Sequence, residues 1–408
     1  MRASSIPTEA SIAAPFVVAL VSIPGFAGTK AFAVVAYFLW RLWTKGVSFR
    51  GLSLAVSVLG GLLLWYAVGQ ARQVPLNDGQ DQLSRLLIFF CVLASAYYLR
   101  AAFRSPEALD RVTRNAALVS AVSKILITIA VLFFKIPFED IQQSLGFESV
   151  TQPLGFDLQR LQFPSDFVIL FLLSCYFGGK SRVADIVFIA SIAVVVMLSF
   201  SRFIFICFFV AILVRMIWTR KMDLIPKSAV ALVVVLSLAF SDVLAERFVG
   251  DAAEQSDDIR VLQVEYLSEL IALRPLGGSG IGASVPSYVR SDSQPYSYEM
   301  QWYATIMQFG WVGLCWLLGT FVAILAGCVR NQRALICLSL LVLVWILSGF
   351  TNPFLVSLGT AVGFSIAIWR CGIADPRTQR KAAKTRLSRV VNTPPCVGTS
   401  PPPSALRS

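Results

Sequence analysis

Apolar and polar positions alternate along this chain in long blocks. Apolar runs of roughly 17–25 residues recur over most of its length, and runs of that length are typical of helices that cross a bilayer. About twelve runs approach this length. They begin near residues 12, 31, 51, 83, 115, 163, 182, 202, 226, 303, 333 and 353. The pattern therefore predicts an all-α, polytopic integral membrane protein.

Composition supports this class and excludes a soluble globular protein. The chain is 56% hydrophobic and 14% charged, whereas a soluble domain is about 25% charged. We expect residues 1–372 to form a transmembrane domain and residues 373–408 to form a disordered tail, first basic and then rich in Pro and Ser. The first apolar run lacks a small-residue cleavage site, so we expect it to be retained as a helix.

The charges predict the orientation in the membrane. Alternate connections between apolar runs are rich in Lys and Arg, and the intervening connections are rich in acids. By the positive-inside rule, both termini are cytoplasmic and the protein lies in a bacterial inner membrane. The net charge of +12 then reflects contact with anionic lipid. No nucleic-acid-reading pattern is present, so we expect no nucleic-acid partner.

The longest connection, residues 242–302, is predicted to be periplasmic and partly helical. Within 256–275, apolar residues recur every three or four positions, which is typical of an amphipathic helix lying on the membrane. The stretch GGSGIGA (277–283) follows it. Glycines permit tight turns and close approach of the backbone to a ligand, and successive N–H groups in such a turn can bind an anion. A plain turn is the alternative.

Four arginines are candidate phosphate ligands. Arg260, Arg274 and Arg290 lie in this otherwise acidic loop, and Arg202 follows the segment SFS at a predicted outer helix end. Arginine suits bidentate binding of phosphate oxygens. Alternatively, the loop arginines pair with neighbouring acids such as Asp257, and Arg202 only extends to the membrane interface.

A single carboxylate, Glu299, precedes the next apolar run in PYSYEMQWYATIMQFGWVG (295–313). The chain contains no histidine, so acid–base chemistry falls to carboxylates, Tyr or Lys. Glu299 is a candidate general base, while Tyr298, Trp302 and Arg290 are candidate sugar contacts. The alternative is a carboxylate stabilised at a helix N-terminus within an ordinary aromatic belt.

These motifs together carry a family resemblance. SFSR at a helix start, an arginine-bearing helix that runs into RPLGGSGIGA, the acid-led helix with QFGWVG and the late TNPFLVSLGTAVGF resemble the O-antigen ligase/O-antigen polymerase superfamily over roughly residues 190–365. The resemblance implies a membrane glycosyltransferase that binds an undecaprenyl-diphosphate-linked glycan at the periplasmic face. It transfers the reducing end of that glycan to a sugar hydroxyl.

The roles assigned to this chain follow from the chemistry of that transfer. We assign Glu299 and Arg260 as catalytic residues. Arg202, Arg274, Gly278 and Gly280 are assigned to the diphosphate, whose negative charge must be neutralised before it can leave. We expect no cofactor and no metal.

The resemblance also separates two branches. The ligase branch is associated with a periplasmic histidine near the position of Glu299, and its absence here favours a polymerase of O-antigen or exopolysaccharide repeat units. A ligase, a transporter or flippase of lipid-linked oligosaccharide and a non-catalytic export partner remain alternatives. Lys124 and Asp185 lie within apolar runs and keep transport open. Chain-length regulators and export proteins are further expected partners.

Overall fold

The computed structural model describes the greater part of the chain. The described residues are 22–23, 27–45, 49–99, 106–145, 161–178, 181–219, 224–239, 241, 251–289, 294–327, 329, 331–351 and 354–373. The chain divides into two compact units, Met1–Gly372 and Ile373–Ser408. The predicted disorder of the tail and the predicted role of Arg290 fall outside the described residues.

The described part of the first unit is built from α-helices, as the apolar runs predicted. In chain order they are α1 (Ala27–Lys45), α2 (Phe49–Ala71), α3 (Leu76–Leu99), α4 (Pro106–Leu132), α5 (Phe138–Leu145), α6 (Val168–Cys175), α7 (Arg182–Ser199), α8 (Arg202–Thr219), α9 (Leu224–Ala239), α10 (Asp251–Leu273), α11 (Gln301–Ala326), α12 (Gln332–Ser348) and α13 (Leu358–Gly372). A 3₁₀ turn, Pro164–Phe167, leads into α6.

Several of these helices are long and apolar enough to cross a bilayer. Within the described residues, five segments meet that criterion: Ser53–Ala71, Pro106–Leu132, Arg182–Ser199, Arg202–Thr219 and Gln301–Ala326. Shorter apolar helices occupy Ser165–Cys175, Lys227–Leu238 and Gln332–Ser348. The fold is therefore that of a multi-pass membrane protein. The count of twelve spans and the orientation of the termini stay predictions.

The core of the bundle lies around α13 and α6. Both helices are predominantly apolar and almost every described residue in them is buried, as expected for helices surrounded by other helices. α13 packs against α3 and α6, and α6 also packs against α8. Phe171 and Phe364 meet edge to face, with ring centroids 4.8 Å apart. At its edge, Phe203 at the start of α8 lies against Phe354 in the segment after α12, with ring centroids 6.0 Å apart.

A break in α11 fixes the position of the loop that follows α10, residues 275–283, which we call the glycine loop. Gly310 has φ 65° and ψ 179°, a backbone conformation that is essentially confined to glycine. The N–H groups of Ser279 and Gly280 donate to the carbonyls of Met307 and Gln308, both at 2.7 Å. Beyond the break, N–H groups of α11 donate to carbonyls at the start of the same loop. The loop thus satisfies the hydrogen bonds that the kink leaves open and fixes α10 against α11.

Candidate functional site

Charged side chains from three separate segments converge at one end of the bundle. They come from the start of α8, the first half of α10 and the residue two positions before α11. We call this set the Arg–Glu cluster, and its members are Arg202, Asp257, Arg260 and Glu299. The sequence had proposed both arginines and the glutamate, and the structure brings those three into one connected set.

Arg260 is the centre of the cluster. Its Nε donates to Oε2 of Glu299 at 3.1 Å and its Nη1 donates to Oδ1 of Asp257 at 2.6 Å. Arg202 donates from Nη2 to the same Asp257 oxygen at 3.3 Å. A third contact runs from Arg260 to the carbonyl of Thr351 at 3.4 Å, in the segment that follows α12. Asp257 therefore bridges the two guanidinium groups.

The side chains of the Arg–Glu cluster differ in how far they are exposed to solvent. The Asp257 side chain is 58% exposed, Arg202 is 33% exposed, and Arg260 and Glu299 are 20% and 16% exposed. An incoming anion therefore meets Asp257 and Arg202 first, while Glu299 lies deeper. Such a recess favours charge stabilisation, because shielding from water strengthens each ionic contact.

Gln263 holds the backbone at Glu299. Its side chain is fully buried, and its Oε1 accepts the N–H groups of Glu299 at 2.9 Å and Met300 at 3.2 Å. Gln263 follows Arg260 by three positions, so both project from one face of α10. Sequence reasoning missed this residue. The signal that could have identified Gln263 is its side-chain amide, which lies on the same face of α10 as Arg260.

The predicted sugar contacts Tyr298 and Trp302 are buried in the scaffold. The Tyr298 hydroxyl accepts the N–H of Val285 at 2.8 Å, and burial raises the pKa of its phenol. Trp302 donates from Nε1 to the carbonyl of Ile346 at 2.7 Å, which joins α11 to α12. Both rings therefore position the segment that carries Glu299, and their contact with a sugar stays a prediction.

Arg274, Gly278 and Gly280 lie away from the Arg–Glu cluster. Arg274 follows α10 and is about 20 Å from Arg260 along the helix axis. The N–H of Gly278 donates to the Arg274 carbonyl at 3.1 Å, and that of Gly280 donates to the kink of α11. A Cβ on Gly280 would come within 2.1 Å of the Gly69 nitrogen. This geometry favours close packing as the role of both glycines, and their assignment to the diphosphate stays a prediction.

An apolar cleft extends into the bundle from Trp302. It has a cavity volume of about 40 Å³, lies between α3, α11 and α12, and is partly open. Phe89, Phe321 and Trp345 line it, and its walls are almost entirely apolar. Trp302 lies three positions after Glu299, so the cleft begins next to the Arg–Glu cluster. A cavity of this size holds only a few water-sized groups.

Lys124 and Asp185, the charged residues whose positions left a transporter as an alternative, each have a partner inside the protein. Lys124 lies 2.8 Å from Asp166 in a fully buried salt bridge and also donates to the carbonyl of Leu161 at 2.6 Å. Asp185 accepts a hydrogen bond from the Tyr176 hydroxyl at 2.8 Å. These contacts connect helices, and they favour a structural role for both residues.

Comparison with known proteins finds a family similarity over part of the chain. A family model described as O-antigen ligase matches residues 186–318, a stretch that contains Arg202, Arg260 and Glu299. No curated protein matches the chain significantly. The match confirms, over residues 186–318, the resemblance that the motifs predicted, to the O-antigen ligase/O-antigen polymerase superfamily.

Proposed function

We propose that this protein is a membrane glycosyltransferase that joins lipid-linked glycan repeat units, and that the Arg–Glu cluster is its active centre. The observation that carries the proposal is the convergence of Arg202, Arg260 and Glu299 from separate segments. The match of residues 186–318 to a family model described as O-antigen ligase supports the proposal.

The reaction transfers a glycan from a lipid diphosphate to a sugar hydroxyl. The bond between the anomeric carbon and the diphosphate oxygen breaks, and the lipid diphosphate leaves with the electron pair. A new bond forms between the same carbon and the acceptor oxygen. Glu299 accepts the hydroxyl proton, a contribution worth about 10²–10⁴ in rate for a positioned base. The proton then passes to the departing diphosphate or to water.

The arginines stabilise the leaving group. Charge accumulates on the diphosphate as its bond to the sugar breaks, and guanidinium groups in a recessed site stabilise that charge. Arg202 and Arg260 already hold the Asp257 carboxylate between them. We assign that position to a phosphate of the donor, which displaces Asp257. Undecaprenyl diphosphate, the carrier that the resemblance implies, has such an anionic head.

Replacement of Glu299 by Gln tests the proposal. Gln keeps the shape of the side chain but cannot accept the proton, so high-molecular-weight polymer should fall by about 10²-fold or more while single lipid-linked repeat units accumulate. The measurement is the polysaccharide of the native bacterium at equal membrane abundance of each variant. Glu265→Gln, an exposed carboxylate on α10, is the matched control and should leave the polymer unchanged. Unchanged polymer in Glu299→Gln would refute the role of Glu299 as the base.

A ligase is the second candidate, because the matching family model is described as O-antigen ligase. The two activities differ in the acceptor: a polymerase uses another lipid-linked repeat unit, whereas a ligase uses the lipid A core. Purified protein offered both acceptors with one lipid-linked donor separates them. We expect product only with the lipid-linked acceptor, because the chain has no histidine to match the ligase branch.

A further inference from the structure

A second pair of arginines lies at the other end of α10. Arg72 is in the turn between α2 and α3, where its N–H donates to the Gly69 carbonyl at 3.0 Å. Gly69 packs directly against Gly280 of the glycine loop. Arg274 follows α10, and its carbonyl accepts the N–H of Gly278 in the same loop. The glycine loop thus brings the two arginine-bearing turns together.

This pair differs in charge balance from the Arg–Glu cluster. The Arg72 Nη1 is buried and makes no hydrogen bond, and Arg274 is exposed. Among the residues that the structure describes, neither arginine forms a salt bridge. Burial and the neighbouring charge of Arg274 lower the pKa of the Arg72 guanidinium. Two cations close together without a carboxylate repel each other, and a bound anion removes that repulsion.

We propose that the Arg72–Arg274 pair binds the diphosphate of a second lipid-linked glycan, the one whose terminal sugar is the acceptor. This inference rests on the proposed function, because a polymerase holds two lipid diphosphates in each cycle and only one of them leaves. The pair lies about 20 Å from Arg260 along α10. The acceptor glycan therefore extends along α10, from its own diphosphate at Arg72 and Arg274 to Glu299. No bond to the second diphosphate forms or breaks.

The same phosphate chemistry occurs in the headgroups of anionic phospholipids. A headgroup would bind to the pair whether or not a glycan is present, and it would not alter the acceptor requirement. A second lipid diphosphate changes both the number of bound carriers and the acceptor KM. These two readouts distinguish the sources.

The first experiment counts bound undecaprenyl diphosphate by native mass spectrometry of the full-length protein in detergent. The wild type should bind two molecules. Arg72→Gln/Arg274→Gln and Arg202→Gln/Arg260→Gln should each bind one, and the exposed Arg182→Gln at the start of α7 should still bind two. A wild type that binds one molecule, or an Arg72/Arg274 variant that still binds two, overturns the inference.

The second experiment measures transfer with separate donor and acceptor. The donor carries a blocked terminal sugar, and the acceptor glycan is supplied with or without its lipid diphosphate. In Arg274→Gln the KM for the diphosphate-bearing acceptor should rise at least about tenfold, because a charged hydrogen-bonding partner is lost. The KM for the donor and for the acceptor without diphosphate should stay at the wild-type values. Arg274→Lys, which keeps the charge, should recover most of the loss.

Other results contradict the inference in distinct ways. If the KM values for the donor and for the acceptor rise equally, the pair either belongs to the donor site or is needed for folding. Loss of co-purified phosphatidylglycerol with an unchanged acceptor KM assigns the pair to bilayer headgroups. If the wild type binds two carriers but forms no polymer, the proposed function fails while the second anion site stands. If polymer forms and the variants change nothing, the function stands and the second site fails.

Discussion

Asp257 is the most exposed member of the Arg–Glu cluster, and it contacts both arginines. In the proposed mechanism its carboxylate competes with the donor phosphate, so Asp257→Asn should lower the KM for the lipid-linked donor by a few fold. Exposed ion pairs are worth about 0.2–1 kcal/mol, which sets that magnitude. Initial rates at increasing donor concentration check it, with Asp258→Asn, the exposed neighbouring acid, as the matched variant. A higher donor KM in Asp257→Asn would show that Asp257 orients the arginines instead.

Gln263 acts on Glu299 through the backbone. Gln263→Leu removes the acceptor of two N–H groups, and each buried donor left without a partner costs about 1–3 kcal/mol. We expect a lower melting temperature and a lower kcat with little change in donor KM, because the side chain that moves is that of Glu299, the proposed base. The exposed Glu269→Leu on the same helix is the control and should change neither quantity. A change in KM alone would mean that Gln263 serves substrate binding.

At the scale of elements, the break in α11 and the glycine loop depend on each other. A Cβ on Gly310 would lie 2.1 Å from the Leu276 carbonyl oxygen, and its φ of 65° disfavours any other residue. Gly310→Ala should therefore destabilise the protein by about 1–3 kcal/mol or more, seen as lower membrane abundance and a lower melting temperature. Gly319→Ala is the matched control. It makes the same change in the same helix, at a position where an added Cβ has no neighbouring atom within 4 Å. Equal effects of the two substitutions would contradict a specific role for the kink.

The contact between the glycine loop and the break in α11 also explains the position of the Arg–Glu cluster. α10 carries Arg260 and Gln263, and it ends where the loop enters the break of α11. Glu299 lies just before α11 begins. The position of Glu299 relative to Arg260 is therefore set by the docking of one helix on another, and a loosened kink should reduce activity even where the protein still folds.

At the scale of the whole molecule, the buried pair of Lys124 and Asp166 joins α4 to the turn before α6. Lys124→Met leaves an uncompensated buried carboxylate and should cost about 3–5 kcal/mol. Lys124→Met/Asp166→Asn removes both charges and should regain most of the melting temperature and the polymer yield. A double variant that folds with full stability but makes no polymer would show that these charges serve the reaction or transport.

Much of the site could be predicted from the sequence because its residue types are unusual at their positions in the chain. Arg202 and Glu299 are charges beside membrane-length apolar runs, and Arg260 is a cation in an acidic loop. That these three side chains act at one site could be proposed from the family resemblance. Gln263 could not be found in the same way, because its role depends on which N–H groups face α10.

The sequence by itself determined the helical membrane class, because the length of an apolar run matches the thickness of the bilayer without reference to any other segment. The number of spans does not follow in the same way, since α6 and α13 are only 8 and 15 residues long. Tertiary structure decided the rest. It separated Arg274 from Arg260 and placed it near Arg72, buried Tyr298 and Trp302, and used Gly278 and Gly280 for packing. These outcomes depend on contacts between segments that are distant in the chain, and hydrophobic patterning describes only neighbouring residues.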